Sequence, residues 1–176
     1  DDTLDLEFRG ECAANIYYRG GSLFEIWQSG TSYTLQIHAN YLAAYETPDG
    51  RKLDCRPSIL AATADIPYYK EAMDFHLAKP GNRNYEREFQ QLVVRENNRH
   101  GAISHASDYY IVDIEYAYND NVLDKKTQAR FDMIAVKWLS KSNERQNPSA
   151  PTLAIIEMKY GDGALGGNAG LKKHLE

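Results

Sequence analysis

The 176-residue sequence predicts an α+β fold, an antiparallel β-rich region over residues 1–81 followed by a mixed core over 82–176. Three observations predict it. Gly20-Gly21 sits between two aromatic-rich runs, a strong hairpin signal. At Asn82 the apolar pattern changes to a helical period. Three strand-like runs then follow, the last of them, LAIIEMKY (153–160), an apolar run that ends in Glu157 and Lys159.

Residues 4–46 read as a β-meander. NIYYRGGSLFEIW forms the first clear hairpin, QSGTS at 28–32 the next turn, and YTLQIHANYLAAY a further extended run. PDG at 48–50 is another turn. Residues 51–82 are less regular, and IPYYKEAMDFHLAKPG holds a short helix ended by Pro80-Gly81. NRNYEREFQQLVVRENNRHG then predicts a helix of about four turns, with Tyr85, Phe89, Leu92 and Val93 on its apolar face. Asn97-Asn98 and Gly101 end it. DYYIVDIEYAY (108–118), ARFDMIAVKWL (129–139) and PTLAIIEMKY (151–160) are strands, separated by the polar connections NDNVLDKKTQ and SKSNERQNPSAP. After Gly-rich GDGALGG, the closing GLKKHLE reads as a helix that breaks off early, as in a fragment or an ordered part of a longer chain.

Composition bounds the function. With 43% hydrophobic residues the chain can build a core, and thirteen tyrosines favour strands. No apolar stretch approaches the roughly 20 residues of a membrane span, and the acidic N-terminus lacks a signal-peptide pattern. Cys12 and Cys55 match no metal spacing and read as free thiols of a reducing cytoplasm. A net charge of −5 argues against a basic nucleic-acid coat. It leaves room for an enzyme acting on nucleic acid, whose active site gathers acids to hold metal. The five histidines show no zinc spacing, and no serine has a nucleophile-elbow context.

The chemistry concentrates in the last two strands. Alternate strand residues share a face, so Glu157 and Lys159 project together, in line with Leu153 and Ile155. Asp132 lies near the start of the preceding strand and can meet Glu157 at one sheet edge. Two carboxylates beside a lysine suit a hard divalent cation that takes oxygen ligands. Such an ion activates water and neutralises a phosphate under attack, while the lysine orients or deprotonates the water or stabilises developing charge.

Asp132 followed by Glu157-Met158-Lys159, on successive strands after a helix bearing Glu86 and Glu88, resembles the PD-(D/E)XK nuclease superfamily. The resemblance covers residues 82–176. It implies a restriction-endonuclease-like αβββα core with a central mixed sheet and a Mg²⁺- or Mn²⁺-dependent phosphodiesterase. Asp132, Glu157 and the Met158 backbone carbonyl would ligate metal, Lys159 would assist the nucleophilic water, and a helix glutamate would join through a metal-bound water. Glu86 is preferred for that role, then Glu88; Glu96 lies closer to the centre of the apolar face but near the helix end. Phe131, where the family often has proline, departs from the motif. Asp124-Lys125-Lys126 also fits D-x-K, but in a polar connection with no apolar strand, so context separates the two.

The implied substrate is nucleic acid, DNA before RNA, with no membrane partner; cutting both strands often takes a homodimer. Gly161-Asp162-Gly163-Ala164-Leu165-Gly166 fits the dinucleotide fingerprint, but its strand ends in charges, and a turn is preferred. Beyond it, Asn168 can cap the terminal helix. Lys172 and Lys173 can contact phosphate, although solvated lysines are the commoner state. Asp113 and Glu115 share one face and either extend the acidic cluster or face solvent. Tyr17, Tyr18, Trp27 and Tyr33 offer a stacking surface, though aromatic strand residues are more often core. Two rival readings remain: a catalytically inactive nuclease-fold module, and a nucleotide-binding protein using the Gly161–Gly167 loop.

Overall fold

The structure is a computed structural model and describes residues 1–120, 127–140, 142–146 and 151–161. The fold is α+β with two antiparallel sheets. The chain forms two compact units, Asp1–Glu88 and Phe89–Glu176.

The first unit opens with a four-stranded meander, β1 (Asp5–Phe8), β2 (Ala13–Tyr18), β3 (Gly21–Ser29) and β4 (Ser32–Gln36), paired in chain order. Tyr18 faces Gly21 across the β2–β3 hairpin, so Arg19 and Gly20 make its two-residue turn, both with positive φ (48° and 76°). Consecutive left-handed residues match the strand twist, and glycine takes the position at no steric cost. The extended run expected through residue 46 stops at Gln36. His38 turns the chain into a one-turn helix, α1 (Ala39–Leu42), its ring Nδ1 accepting the Asn40 N–H at 3.3 Å. The PDG turn closes as expected, Gly50 N–H donating to the Thr47 carbonyl at 2.8 Å.

The short helix expected near residue 66 is a 19-residue helix, α2 (Ile59–Leu77). Ser58 caps it, its Oγ accepting the Ala61 N–H at 3.2 Å. Pro67 lies inside it. Proline ordinarily breaks a helix by removing a backbone bond, which is why the residues before it read as irregular. Packing compensates. Ala62, Tyr69, Met73 and Leu77 line one helical face and pack with Leu23, Phe24, Leu35 and Ile37 into the core of this unit. Tyr69 meets Phe24 edge-on, with ring centroids 4.9 Å apart, and donates its hydroxyl to the Asp54 carbonyl at 2.8 Å.

Burial pushes the Tyr69 phenol up to about 12. Burial, and then the hydrogen bond that Tyr18 donates to Asp74, push Tyr18 to about 12 as well. A phenol whose pKa is higher folded than unfolded favours the folded state below its ordinary value of 10.0, and that contribution is lost as pH rises toward 12. Urea unfolding should therefore show stability falling across that alkaline window. The double substitution Tyr18→Phe with Tyr69→Phe should flatten the fall; an equally steep fall in that variant would assign it to other groups.

The second unit takes up α3 (Tyr85–Arg99), which runs across the division between units, then α4 (Gly101–Ala106), β5 (Tyr109–Asp120), β6 (Thr127–Lys137), α5 (Ser142–Gln146) and β7 (Thr152–Ile156). The expected apolar face of α3 is not its buried one. Tyr85, Phe89, Leu92 and Val93 are each about two-fifths exposed, whereas Gln90, Gln91 and Val94 are buried. Two short helices replace expected loop: α4 after the predicted stop at Gly101, and α5 in the polar connection.

The strands pair in the order β5-β6-β7. Where a mixed sheet was expected, the sheet is antiparallel throughout among the described residues. The open edge of β5 is met by a side chain. The Asn98 amide donates to the Ile111 carbonyl at 2.7 Å and accepts the Ile111 N–H at 3.1 Å, imitating a neighbouring strand. The terminal helix expected after Gly161 lies outside the described residues.

Candidate active site

A bulge in β5 sets the faces of the second sheet. The register with β6 shifts between Ile111 and Asp113, leaving Val112 as the extra residue. Ile111 and Ile114, three apart, therefore both point to the buried face with Met133 and Ala135. The opposite face carries the cross-strand rows Tyr110–Val136–Leu153 and Asp113–Ile134–Ile155. This face is the open one. Leu153 and Ile155 are 69% and 62% exposed, where the sequence suggested a strand that begins buried.

One step further along the same face lies the charged constellation. The last β6–β7 pair is Met133 with Ile156, so Asp132 and Glu157 are the next residues of that ladder. On the β5 side, the pairs Ile114–Met133 and Tyr116–Phe131 leave Glu115 opposite Asp132. Glu115 and Asp132 thus fall between paired positions of β5 and β6, and Glu157 is the first residue past the end of β7.

The strand itself stops short of the expected site. β7 ends at Ile156, and Glu157–Tyr160 lie beyond it. The reason is a substitution of partners. The Met158 N–H donates to Asp132 Oδ2 at 2.8 Å, a side-chain acceptor taking over where backbone pairing ends. Glu157 then pairs with Lys159 through Oε1 and Nζ, with only 22% and 17% of the two side chains exposed. Tyr160 stacks on Phe89 of α3, with centroids 5.2 Å apart and planes 21° from parallel. The segment after β7 is thus pinned on both sides of Lys159.

Of the residues singled out in the sequence, Asp132 bonds the Met158 amide and Glu157 pairs with Lys159. Glu86 and Glu88 belong to the first unit. There Glu88 is engaged on both oxygens, accepting from Arg19 Nε at 2.6 Å and Arg83 Nε at 2.7 Å, with Arg19 also bonded to Asp74. Glu86 is partly buried on the same turn of α3. Among the described residues, no three His, Cys, Asp or Glu side chains converge closely enough to hold an ion. Lys172 and Lys173, Asn168, the Gly161–Gly167 loop beyond Gly161, and Asp124–Lys126 lie outside the described residues. Of the proposed stacking aromatics, Tyr17 is buried and bonded through its hydroxyl to Arg9, while Trp27 and Tyr33 are exposed. Cys12 and Cys55 are free and exposed. No described helix is long and apolar enough to cross a membrane.

Sequence reasoning passed over Arg130. It lies two residues before Asp132 on β6, and its Nη2 donates to Glu115 Oε1 at 2.8 Å. Glu115 is one of two non-glycine residues with positive φ among the described residues, at 54°. The alternation of β6, which sets Arg130 and Asp132 on one face, was the signal available in the sequence.

No family model matches the chain, and neither the curated proteins nor the solved structures contain a match.

Proposed function

We propose that the protein is a metal-dependent nuclease of the PD-(D/E)XK type, with a restriction-endonuclease-like core over residues 82–176 and a substrate of DNA before RNA. The observation that carries this reading is the Asp132–Met158 hydrogen bond. It sets an acid of one strand against a Glu-x-Lys segment that follows the next, on the open face of a sheet.

The donor set fits a hard cation. Asp132 keeps one carboxylate oxygen while the other holds Met158, and Glu157 keeps one oxygen beside its pairing with Lys159. With the Met158 carbonyl, these are oxygen donors of the kind Mg²⁺ or Mn²⁺ accepts alongside water. Bound there, the ion would acidify a water and neutralise charge on the phosphate. Asp132 and Glu157 would hold and orient it. Lys159, carried between Glu157 and Tyr160, orients the attacking water or stabilises the charge that develops on the phosphate. Both oxygens of Glu88 serve arginines of the first unit. A homodimer and a cytoplasmic setting belong to the same reading.

The test is cleavage of plasmid and linear DNA with Mg²⁺ or Mn²⁺. Wild type should cut, a chelator should stop it, and Lys159→Ala should lose about 10²–10⁴-fold in rate. Calorimetry should show millimolar metal binding that Glu157→Ala removes. Metal-independent behaviour of both assays would favour an inactive binding module of the same fold.

A further inference from the structure

We infer that Arg130 is a substrate-positioning residue that binds a backbone phosphate of the nucleic acid next to the one cleaved; this rests on the nuclease reading above. Three observations on the second unit converge on it.

The first is place. Arg130 and Asp132 are alternate residues of β6, on one face and about 7 Å apart along the strand. Its contact with Glu115, the residue opposite Asp132, shows that the guanidinium leans back along the sheet toward the acidic side chains rather than away from them. The second is availability. A guanidinium has five N–H donors in a planar fork that fits phosphate. The structure shows one given to Glu115, and the side chain is 60% exposed. Among the described residues, other cations near this sheet are differently committed. Lys159 is held by Glu157, and Arg145 bonds the carbonyls of Leu139, Ser104 and Ser107. Lys137 stands at the far end of β6.

The third is chemistry. The carboxylates of Glu115, Asp132 and Glu157 repel a polyanion wherever no cation offsets them. Among the described residues Arg130 is an exposed cation on that face, and Glu115 fixes its direction at a residue whose backbone has left the ordinary strand conformation. The pair is exposed at Arg130 but mostly covered at Glu115, and the guanidinium has donors beyond the one it gives there. A phosphate bridging into the remaining donors would set the register of the strand over Asp132.

The experiment compares wild type, Arg130→Ala and Arg130→Lys in two assays on one duplex oligonucleotide. The first is steady-state cleavage with Mg²⁺; the second is equilibrium binding with Ca²⁺ in its place across a salt series. Arg130→Ala should raise KM about tenfold with a smaller change in kcat, and lower the slope of log affinity against log salt by about one. Arg130→Lys should restore the slope, because the charge returns, but only part of the KM, because the fork does not. Thermal unfolding of Arg130→Lys should match wild type, and Arg130→Ala should shift by no more than the loss of one half-covered ion pair. Wild-type KM and slope in Arg130→Ala, in a preparation whose wild type cleaves, would overturn the assignment and leave the nuclease reading intact. A wild type that binds DNA with an Arg130-dependent slope yet never cleaves would overturn the nuclease reading and keep the phosphate contact. A wild type that neither binds nor cleaves overturns both.

Discussion

Asp132→Asn should reduce metal-dependent cleavage by about 10³-fold or more while leaving thermal stability nearly unchanged. The side chain of Asp132 has two tasks that this substitution separates. One oxygen accepts the Met158 N–H at 2.8 Å, and an asparagine carbonyl oxygen can accept the same bond in the same place. The negative charge is a different matter. An amide is a poor partner for a hard divalent ion, so the donor set shared with Glu157 loses most of its hold. Asp132→Ala removes both contributions. It should add a stability loss of about 1–3 kcal/mol from the orphaned amide, read by denaturant unfolding. If Asp132→Asn cuts DNA at the wild-type rate, Asp132 is no ligand. If Asp132→Ala unfolds like wild type, the Met158 bond contributes nothing to stability.

Gly20→Ala should be the most damaging single-methyl change in the first unit. A Cβ at this position would lie 2.5 Å from the backbone nitrogen of Glu88 and 2.6 Å from the carbonyl oxygen of Arg87. These are backbone atoms of a helical turn, which cannot swing aside as a side-chain tip does. The residue also has φ +76°, where an L side chain is strained. Overpacking and strain together should cost about 3 kcal/mol. Gly30 is the control. It too has positive φ, at +61°, but nothing lies within 4 Å of its added Cβ. Gly30→Ala should therefore show only the conformational part, about 1 kcal/mol. Equal losses in the two variants, measured as urea midpoints, would show that the close approach to α3 does not matter.

The residues around Gly20 show how far the sequence could be read. The Gly20-Gly21 pair announced its hairpin because the signal is local, although the turn itself is Arg19-Gly20 and Gly21 already opens β3. The neighbourhood of Asp132 and Met158 was legible for a related reason: antiparallel strands adjacent in sequence are adjacent in space, so order along the chain becomes register across the sheet. The failures share the opposite property. α2 was half seen, because Pro67 contradicts a helix locally and only burial of Tyr69, Met73 and Leu77 overrules it. On α3 the apolar residues marked the wrong stripe. Gln90 and Gln91 are buried at 4% and 2% exposure, and a glutamine earns burial from partners that a periodicity cannot name. The end of β7 depended on a side chain 26 residues away. Arg130 carried no motif and drew meaning only from the strand position it shares with Asp132.

The bond from Met158 to Asp132 also makes one peptide amide an internal gauge of the site. Its proton rests on the carboxylate proposed to take the ion, so its exchange with solvent and its resonance frequency follow whatever that carboxylate does. Ion loading and the ordering of the four residues after β7 become two readings of one dial. The chain carries its own indicator, one peptide unit from the lysine that would act.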